Sequence, residues 1–211
     1  MVFISKNDKK TWQDYIDNFE HFTLNLKKDD LKKEVKIEDV EVWFQDETRV
    51  GQQGSISRTW YIKGERPRLV KQQQFLSAYI YGAVCPAKNK SSAIFATEVN
   101  AEIMQIHLDY LSKEIEGHAV VIMDKAGWHC SKDLQVPKNM TILHLPPYSP
   151  ELNGSENGWQ VIKSTSLKNR VFKTVDEIID ASIHAWNIFV EKRDQIRKTC
   201  YREWADISQL I

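Results

Sequence analysis

The segment Leu145-Pro-Pro-Tyr-Ser-Pro-Glu-Leu-Asn-Gly-Ser-Glu-Asn-Gly-Trp159 joins a proline-rich loop to the beginning of a helix. Its three prolines restrict the backbone of the loop, and the polar residues after them are typical of a turn that leads into a helix. From about Ser155 the spacing of Trp159 and Ile162 indicates a helix with one buried face. Glu156 is therefore predicted to lie in the first turn of that helix.

Two aspartates far upstream follow apolar segments that are predicted to be strands. The segment 40–45 is rich in β-branched and aromatic residues and ends at Asp46, and the unbroken apolar run 119–123 ends at Asp124. If the two strands are parallel neighbours, their acids share one edge of the sheet. Glu156 on the later helix can reach over that edge, so the three carboxylates are predicted to meet.

Three carboxylates from separate elements suit a metal site. Hard divalent cations prefer oxygen ligands, and two such ions held together can act on a phosphodiester. Each acid alone has a plainer explanation, because an aspartate at a strand end is commonly a turn residue. Glu156 alone would suit a helix N-terminus through the helix dipole. The metal site is therefore a hypothesis about the three acids as a set.

The remaining pattern predicts an α/β fold, with a mixed sheet flanked by helices. An antiparallel meander is predicted to include the first strand, a strand at 57–62 and a strand at 74–84, with a turn at 48–56 and a short extended piece at 91–97. The other predicted elements are a helix at 100–115 that buries Ile103, Ile106, Leu108 and Leu111, a short helix at 130–135, a strand at 140–145, and a helix at 174–191 that buries Val175, Ile178, Ile179, Ile183, Trp186 and Phe189.

Residues 1–38 are predicted to form a helical lead that precedes a catalytic domain at 39–211. Aromatic and apolar residues at helical spacing follow Lys10, and a charged run extends from Lys27 to Asp39. The aromatic face can pack on the domain behind it, or it can belong to a surface that joins an upstream segment.

Composition excludes several classes of protein. A hydrophobic content of 42% can fill a core, and the 29 basic residues equal the 29 acidic ones, so any DNA contact must come from local patches. The three cysteines lack the spacing of a zinc site or a disulfide framework. No apolar run is long enough for a membrane span. These features predict a soluble, cytoplasmic protein that does not bind membranes.

Three blocks in the sequence resemble the signature blocks of DDE transposases, and the likeness is strongest to the mariner-related enzymes of bacterial insertion sequences. The blocks are Trp43-Phe-Gln-Asp-Glu47, Ile122-Met-Asp-Lys-Ala-Gly-Trp-His129 and Leu145–Trp159, and their order also matches. The resemblance covers about residues 40 to 205.

The resemblance implies a ribonuclease H-like fold with Asp46 on the first strand, Asp124 on the fourth and Glu156 on a later helix as catalytic and metal-binding residues. It implies two Mg²⁺ or Mn²⁺ ions, cleavage of a phosphodiester at a transposon end, and transfer of the free 3′ hydroxyl to target DNA. Members of the family act as dimers. Nucleoid association is expected when the protein is bound to DNA.

Further residues are candidates for contact with DNA or with the acids. Lys125 could compete with a metal for the carboxylate of Asp124 or contact phosphate, and His129 could contact DNA, orient a ligand or pack under the proline loop. Tyr148 and Trp159 could stack on a splayed base, although core or loop packing is the simpler role for each. The other candidates for phosphate contact, for each of which solvated surface is the plainer role, are Arg66, Arg68, Lys71, Lys163, Lys168, Arg170 and Lys173.

The chain also departs from the family pattern. Family members normally begin with a helix-turn-helix module, whereas some 38 residues precede the first strand here. The module is expected on a separate or frameshifted upstream polypeptide, unless the chain stands alone or is a decayed fragment. Gly154 and Gly158 flank Glu156, and because glycine costs about 1 kcal/mol in a helix they predict a looser first turn. The alternatives to a transposase are a non-catalytic remnant that binds DNA or protein, and a nuclease that acts on RNA–DNA hybrids.

Overall fold

A computed structural model of the chain describes residues 11, 13–19, 40–52, 62–64, 75–127, 129 and 133–207. Five strands form one sheet in the order β3-β2-β1-β4-β5. They are β1 (Val40–Gly51), β2 (Ser77–Cys85), β3 (Lys90–Ala96), β4 (His118–Met123) and β5 (Met140–His144). The first three strands pair antiparallel, whereas β4 pairs parallel with both β1 and β5. This mixed sheet confirms the predicted fold class.

Helices cover both faces of the sheet. The helices that follow β3 are α1 (Ala101–Glu114), α2 (Gly154–Ile162), α3 (Val175–Glu191) and α4 (Gln195–Cys200), and a turn of π-helix, Lys163–Leu167, extends α2. Side chains alternate along the strands, so that Trp43 and Val121 pack with α1 on one face. Phe44 and Ile122 face the opposite way and pack with α2 and α3. The result is a three-layer arrangement with the sheet in the middle.

The predicted starts of two helices are confirmed by their caps. The side chain of Asn100 accepts a hydrogen bond from the N–H of Ile103 at 2.9 Å, and Thr174 accepts one from the N–H of Glu177 at 3.2 Å. Two predictions of burial were wrong, because Ile106 and Ile183 are 54% and 37% exposed. The inward face of α1 includes Leu108 and Leu111, as predicted, together with Met104 and His107, and these four residues recur at helical spacing.

The predicted end of the first strand was wrong, because β1 continues past Asp46 to Gly51. The cause is β2, whose residues Ala83 to Ser77 pair antiparallel with Gln45 to Gly51 and keep that polar segment extended. The proposed strand at 57–62 lies outside the described residues except for Ile62. Residues 134 and 135 are not helical, and the rest of the short helix predicted there is outside the described part or in a turn.

The N-terminal helical segment, of which residues 13–19 are continuously described, packs against the end of the chain. Tyr15 and Phe19 both contact the ring of Trp204 edge-on, with centroids 5.6 and 5.0 Å apart, and Phe19 is buried. Trp204 in turn contacts Phe44 of β1 at 6.0 Å. This contact confirms the interpretation that the aromatic face packs on the domain behind it. None of the helices in the described ranges is long and apolar enough to cross a bilayer.

Candidate active site

The three predicted acids line one open cleft, which lies at the carboxyl end of β4. Phe44 of β1 pairs with Ile122 of β4, so Asp46 and Asp124 both lie two residues beyond the same rung of the parallel ladder. Glu156, in the first turn of α2, reaches the cleft from the next layer. The cleft has a volume of about 470 Å³. Its remaining described lining consists of Lys125, Ala126, Asn153 and the loop Leu145–Pro150.

Asp46 lies among negative charges and is held by two donors. The indole Nε1 of Trp159 donates to its Oδ2 at 2.9 Å, and the main-chain N–H of Glu47 donates to its Oδ1 at 2.9 Å. Burial raises the pKa of Asp46 to about 7, and the charges of Glu47 and Glu156 add to this rise. Burial is thus the main reason why the protonated form of Asp46 is favoured, and the two neighbouring acids reinforce it.

Asp124 is held by a buried histidine that also contacts a second acid. Nδ1 of His129 lies 2.7 Å from Oδ1 of Asp124, and its Nε2 lies 2.9 Å from Oε1 of Glu47. Burial alone would lower the pKa of His129, but the hydrogen bonds to Asp124 and Glu47 outweigh it and raise this pKa to about 10. At neutral pH the ring is thus an imidazolium that donates from both nitrogens. The hydrogen bond from His129 in turn lowers the pKa of Asp124.

Helix α2 is fixed to β1 by contacts with three successive residues of the strand. The Oγ of Ser155 donates to the carbonyl of Phe44 at 2.8 Å, and Nδ2 of Asn153 donates to the carbonyl of Gln45 at 3.0 Å. Trp159 completes the series through its bond to Asp46. Asn153 also caps the helix, because its side chain accepts from the N–H of Ser155. These bonds set the position of the helix turn that carries Glu156 relative to Asp46.

Two glycines allow this close packing. Gly82 of β2 lies directly opposite Asp46, and a Cβ there would come within 2.4 Å of the Trp159 ring. A Cβ at Gly154 would lie 2.3 Å from the carbonyl oxygen of Cys200 and 2.8 Å from the ring of Phe44. Sequence reasoning treated Gly154 as a source of looseness, whereas in the structure it permits α2 to lie against α4 and β1.

Arg202, beyond α4, holds the turn that precedes α2. Its Nε donates to the carbonyl of Glu151 at 3.1 Å, and its Nη2 donates to the carbonyl of Asn153 at 3.0 Å. A guanidinium suits this task because its donors are fixed in one plane. The C-terminal segment therefore helps to position the start of the helix that carries Glu156.

We expect Trp159→Phe to weaken the site more than its loss of packing would suggest. Phenylalanine keeps an aromatic ring but removes the donor to Asp46, a bond to a carboxylate of the kind that contributes about 1.5–3 kcal/mol. Activity or metal affinity should fall roughly 10- to 100-fold, as for other residues that orient a ligand. Isothermal titration with Mn²⁺ and a nicking assay measure the two quantities.

Trp186→Phe is the matched control for this change. Trp186 is buried and its ring centroid lies 5.8 Å from that of Trp159, yet it does not line the cleft that contains the three acids. It should lower the melting temperature while leaving Mn²⁺ affinity unchanged. If the two variants lose the same Mn²⁺ affinity, the bond to Asp46 has no special role.

The predicted DNA contacts are distributed unevenly around the cleft. Lys125 is exposed and lines it, whereas His129 is buried against the carboxylates of Glu47 and Asp124. Lys163 lies on the π-helical turn, and Lys168 and Arg170 are exposed beyond it. These three residues do not line the described part of the cleft. Arg66 and Arg68 lie outside the described residues.

The donor set fits a hard divalent cation, although the acids are not closed around one point. Within the described ranges, no three acidic, histidine or cysteine side chains are close enough to coordinate one ion together. The available donors are nevertheless carboxylate oxygens, the ligands that Mg²⁺ and Mn²⁺ prefer. Burial is the main cause of the raised pKa of Asp46, and repulsion from Glu47 and Glu156 adds to it; a bound cation would lower this pKa.

Comparison with known proteins gives one family match and several relatives. A family model described as DDE superfamily endonuclease matches residues 41–179. An uncharacterised protein of Sinorhizobium fredii, y4pE/y4sA, is 44% identical over 130 residues, which cover 61% of this chain and 96% of that protein. The uncharacterised 39 kDa protein of insertion element IS630 from Shigella sonnei is 23% identical over 150 residues, which cover 68% of this chain and 43% of that protein.

Among solved structures, the catalytic domain of Mos1 mariner transposase superposes with a TM-score of 0.56 and 15% identity, covering 100% of this chain and 92% of that domain. The Mos1 strand transfer complex gives a TM-score of 0.63 and 13% identity, covering 94% of this chain and 59% of that one. The chain thus spans less than half of the Shigella protein and 59% of the Mos1 chain in that complex.

The sheet order and its flanking helices place the chain among proteins of the ribonuclease H-like fold. The chain belongs to the DDE superfamily of endonucleases. The resemblance to DDE transposases that the three sequence blocks indicated is thereby confirmed, and so is the fold that it implied.

Sequence reasoning missed four residues that support the site. They are Glu47, whose carboxylate binds His129, Gly82, which makes room for Trp159, Trp159 as a donor to Asp46, and Arg202. Glu47, Trp159 and Arg202 each bond to a residue distant in sequence, and Gly82 lies on the strand next to Asp46. Glu47 and Trp159 gave a signal, because Glu47 directly follows Asp46 in the first block and Trp159 ends the third block.

Proposed function

We propose that this chain is the catalytic domain of a transposase that cuts DNA phosphodiester bonds with divalent cations and joins the resulting 3′ end to target DNA. The observation that carries the proposal is that Asp46, Asp124 and Glu156 line one cleft of a DDE-family domain. The acids come from two adjacent parallel strands and a helix that is hydrogen-bonded to one of them. Such a cleft is open enough to admit a nucleic acid backbone.

Asp46, Asp124 and Glu156 would hold two Mg²⁺ or Mn²⁺ ions. When bound, such ions lower the pKa of an attacking water or 3′ hydroxyl and stabilise the charge on the leaving oxygen. The protein's own task is to orient the acids. The hydrogen bonds that the Asp124 side chain accepts from the N–H of Ala126 and from His129 both go to Oδ1. Within the described part of the chain, Oδ2 is therefore the oxygen that remains for a cation.

The supporting residues orient the acids and attract DNA. His129 fixes the rotation of Asp124, and Trp159 fixes that of Asp46. Lys125 provides an exposed cation at the rim, suited to a phosphate oxygen. Because the chain has no net charge, we propose that Lys163, Lys168, Arg170, Arg66 and Arg68 supply the local positive charge for the rest of the duplex.

The partners of the domain are also proposed by extension from relatives. The Mos1 structures include a strand transfer complex and paired-end complexes with Mn and with Mg. We infer that this chain likewise acts on transposon ends and target DNA, as a homodimer and with a helix-turn-helix polypeptide. Residues 1–38 would lead into that module and residues 39–211 would form the catalytic domain.

The proposal predicts metal-dependent nicking of DNA. Purified chain should nick supercoiled plasmid in Mn²⁺ or Mg²⁺, and excess EDTA should abolish the product, because the acids alone cannot activate water. Gel separation of supercoiled, nicked and linear DNA measures the rate. Nicking that is equally fast in EDTA would contradict the proposal, and binding of DNA without any cleavage would favour the non-catalytic remnant instead.

A further inference from the structure

Tyr148 is the most exposed large hydrophobic side chain among the described residues. It is 99% exposed, whereas the other exposed large hydrophobic residues range from 37% to 76%. Aromatic rings usually bury much of their surface, and an exposed ring contributes nothing to packing. The ring therefore has no structural task in the described fold.

The backbone of Tyr148 is held in an unfavourable conformation. Its φ of 58° lies in the left-handed region, which residues with a Cβ seldom occupy. The surrounding loop keeps it there, because Ser149 is buried and donates from Oγ to the carbonyl of Pro147 at 3.3 Å. Strain of this kind is typically retained at functional sites. The loop thus fixes the backbone from which the ring projects.

The position of the ring relates it to the acids. Tyr148 lines the same cleft as Asp46, Asp124, Glu156 and Lys125. A phosphodiester at the acids would bring its neighbouring nucleotides to the rim where the ring lies. A flat aromatic surface suits the face of an unpaired base, which can stack regardless of its sequence.

We propose that Tyr148 is a base-stacking residue, whose ring packs on an unpaired nucleobase beside the phosphodiester held in the acidic cleft. This inference rests on the proposed function, and it adds the requirement that the DNA is locally splayed at the cleft. Because the backbone of the loop is already fixed, binding costs less conformational entropy. The phenol hydroxyl is not required for this role.

The test compares binding of two DNA probes by fluorescence anisotropy in Ca²⁺. One probe is a fully paired duplex, and the other is a forked duplex with a short unpaired 3′ arm that contains 2-aminopurine. Tyr148→Ala should weaken binding of the fork by roughly 5- to 150-fold, the effect of losing one base stack, and leave the duplex unchanged. Quenching of 2-aminopurine should disappear in this variant.

Two controls sharpen the outcome. Tyr148→Phe should bind the fork as wild type does, because the stacking surface is kept. Tyr110→Ala removes a tyrosine that is 47% exposed on α1 and does not line the cleft, so it should have no effect. Since the side chain of Tyr148 is exposed, melting temperatures of all variants should match that of the wild type.

Several results would overturn the inference. They are equal binding of the fork by wild type and Tyr148→Ala, an equal loss in Tyr148→Phe, an equal loss for the paired duplex, or no binding of the fork by wild type. The nicking assay in Mn²⁺ is read separately. If the wild type nicks DNA and Tyr148→Ala binds the fork as tightly as the wild type, stacking is refuted and the proposed function is unaffected.

Discussion

Replacement of Asp124 by asparagine is expected to reduce Mn²⁺-dependent nicking by roughly a thousandfold. Removal of this charge weakens the hold on cations that contribute several kcal/mol to transition-state stabilisation, and about 4 kcal/mol corresponds to that factor. Asparagine has nearly the same size, and its side-chain oxygen can still accept from the N–H of Ala126. The loss should therefore appear in the rate of plasmid nicking at saturating Mn²⁺ far more than in the folded structure.

Asp180→Asn is the matched control, because Asp180 is exposed on α3 and does not line the cleft. It changes net charge by the same amount, so it corrects for any general effect on DNA affinity. Nicking should remain at the wild-type rate. If the wild-type protein nicks DNA no faster than Asp124→Asn, the observed nicking comes from a contaminating nuclease and the acids are not catalytic.

Replacement of His129 by alanine is expected to lower both activity and Mn²⁺ affinity by roughly 10- to 100-fold. The imidazolium joins Asp124 to Glu47, and without it Asp124 can rotate away from the cleft. Glu47, whose side chain is only 8% exposed, also loses a partner, which should cost roughly 1–3 kcal/mol of the free energy of unfolding. Isothermal titration with Mn²⁺ and urea denaturation measure the two effects.

Two further variants separate orientation from simple instability. His129→Asn keeps a donor that can reach Asp124 in place of Nδ1, and it should recover part of the Mn²⁺ affinity without recovering the contact with Glu47. His144→Ala removes a second ring near Asp124, but that ring contacts the main-chain oxygen at 3.0 Å. It should leave Mn²⁺ affinity almost unchanged. If His129→Ala binds Mn²⁺ as tightly as wild type, His129 does not orient a metal ligand.

One strand beside the site and two helices of the fold could be predicted because their signals are local. The apolar run 119–123 and the capping residues Asn100 and Thr174 indicate a buried strand and two helix starts without knowledge of any partner. The parallel pairing of β1 with β4 then brings Asp46 and Asp124 to one cleft. The expectation that the three acids meet followed from this topology.

The features that were missed depend on contacts between distant parts of the chain. The extension of β1 to Gly51 is due to pairing with β2, and the polar segment itself contains the signals of a turn. Gly82 is an ordinary strand glycine until the ring of Trp159 is known to occupy the space above it. Arg202 likewise has the appearance of a solvated tail cation until its bonds to Glu151 and Asn153 are seen.

The most direct test of the central claim is a crystal structure of the chain soaked in Mn²⁺, with anomalous scattering used to locate the metal. We expect anomalous peaks in the cleft with oxygen ligands from Asp46, Asp124 and Glu156, and loss of the peaks in Asp124→Asn. Mn²⁺ that is absent from the cleft at saturating concentration, or that is bound elsewhere without Asp46 and Asp124, would contradict the assignment of these acids as a metal-binding catalytic site.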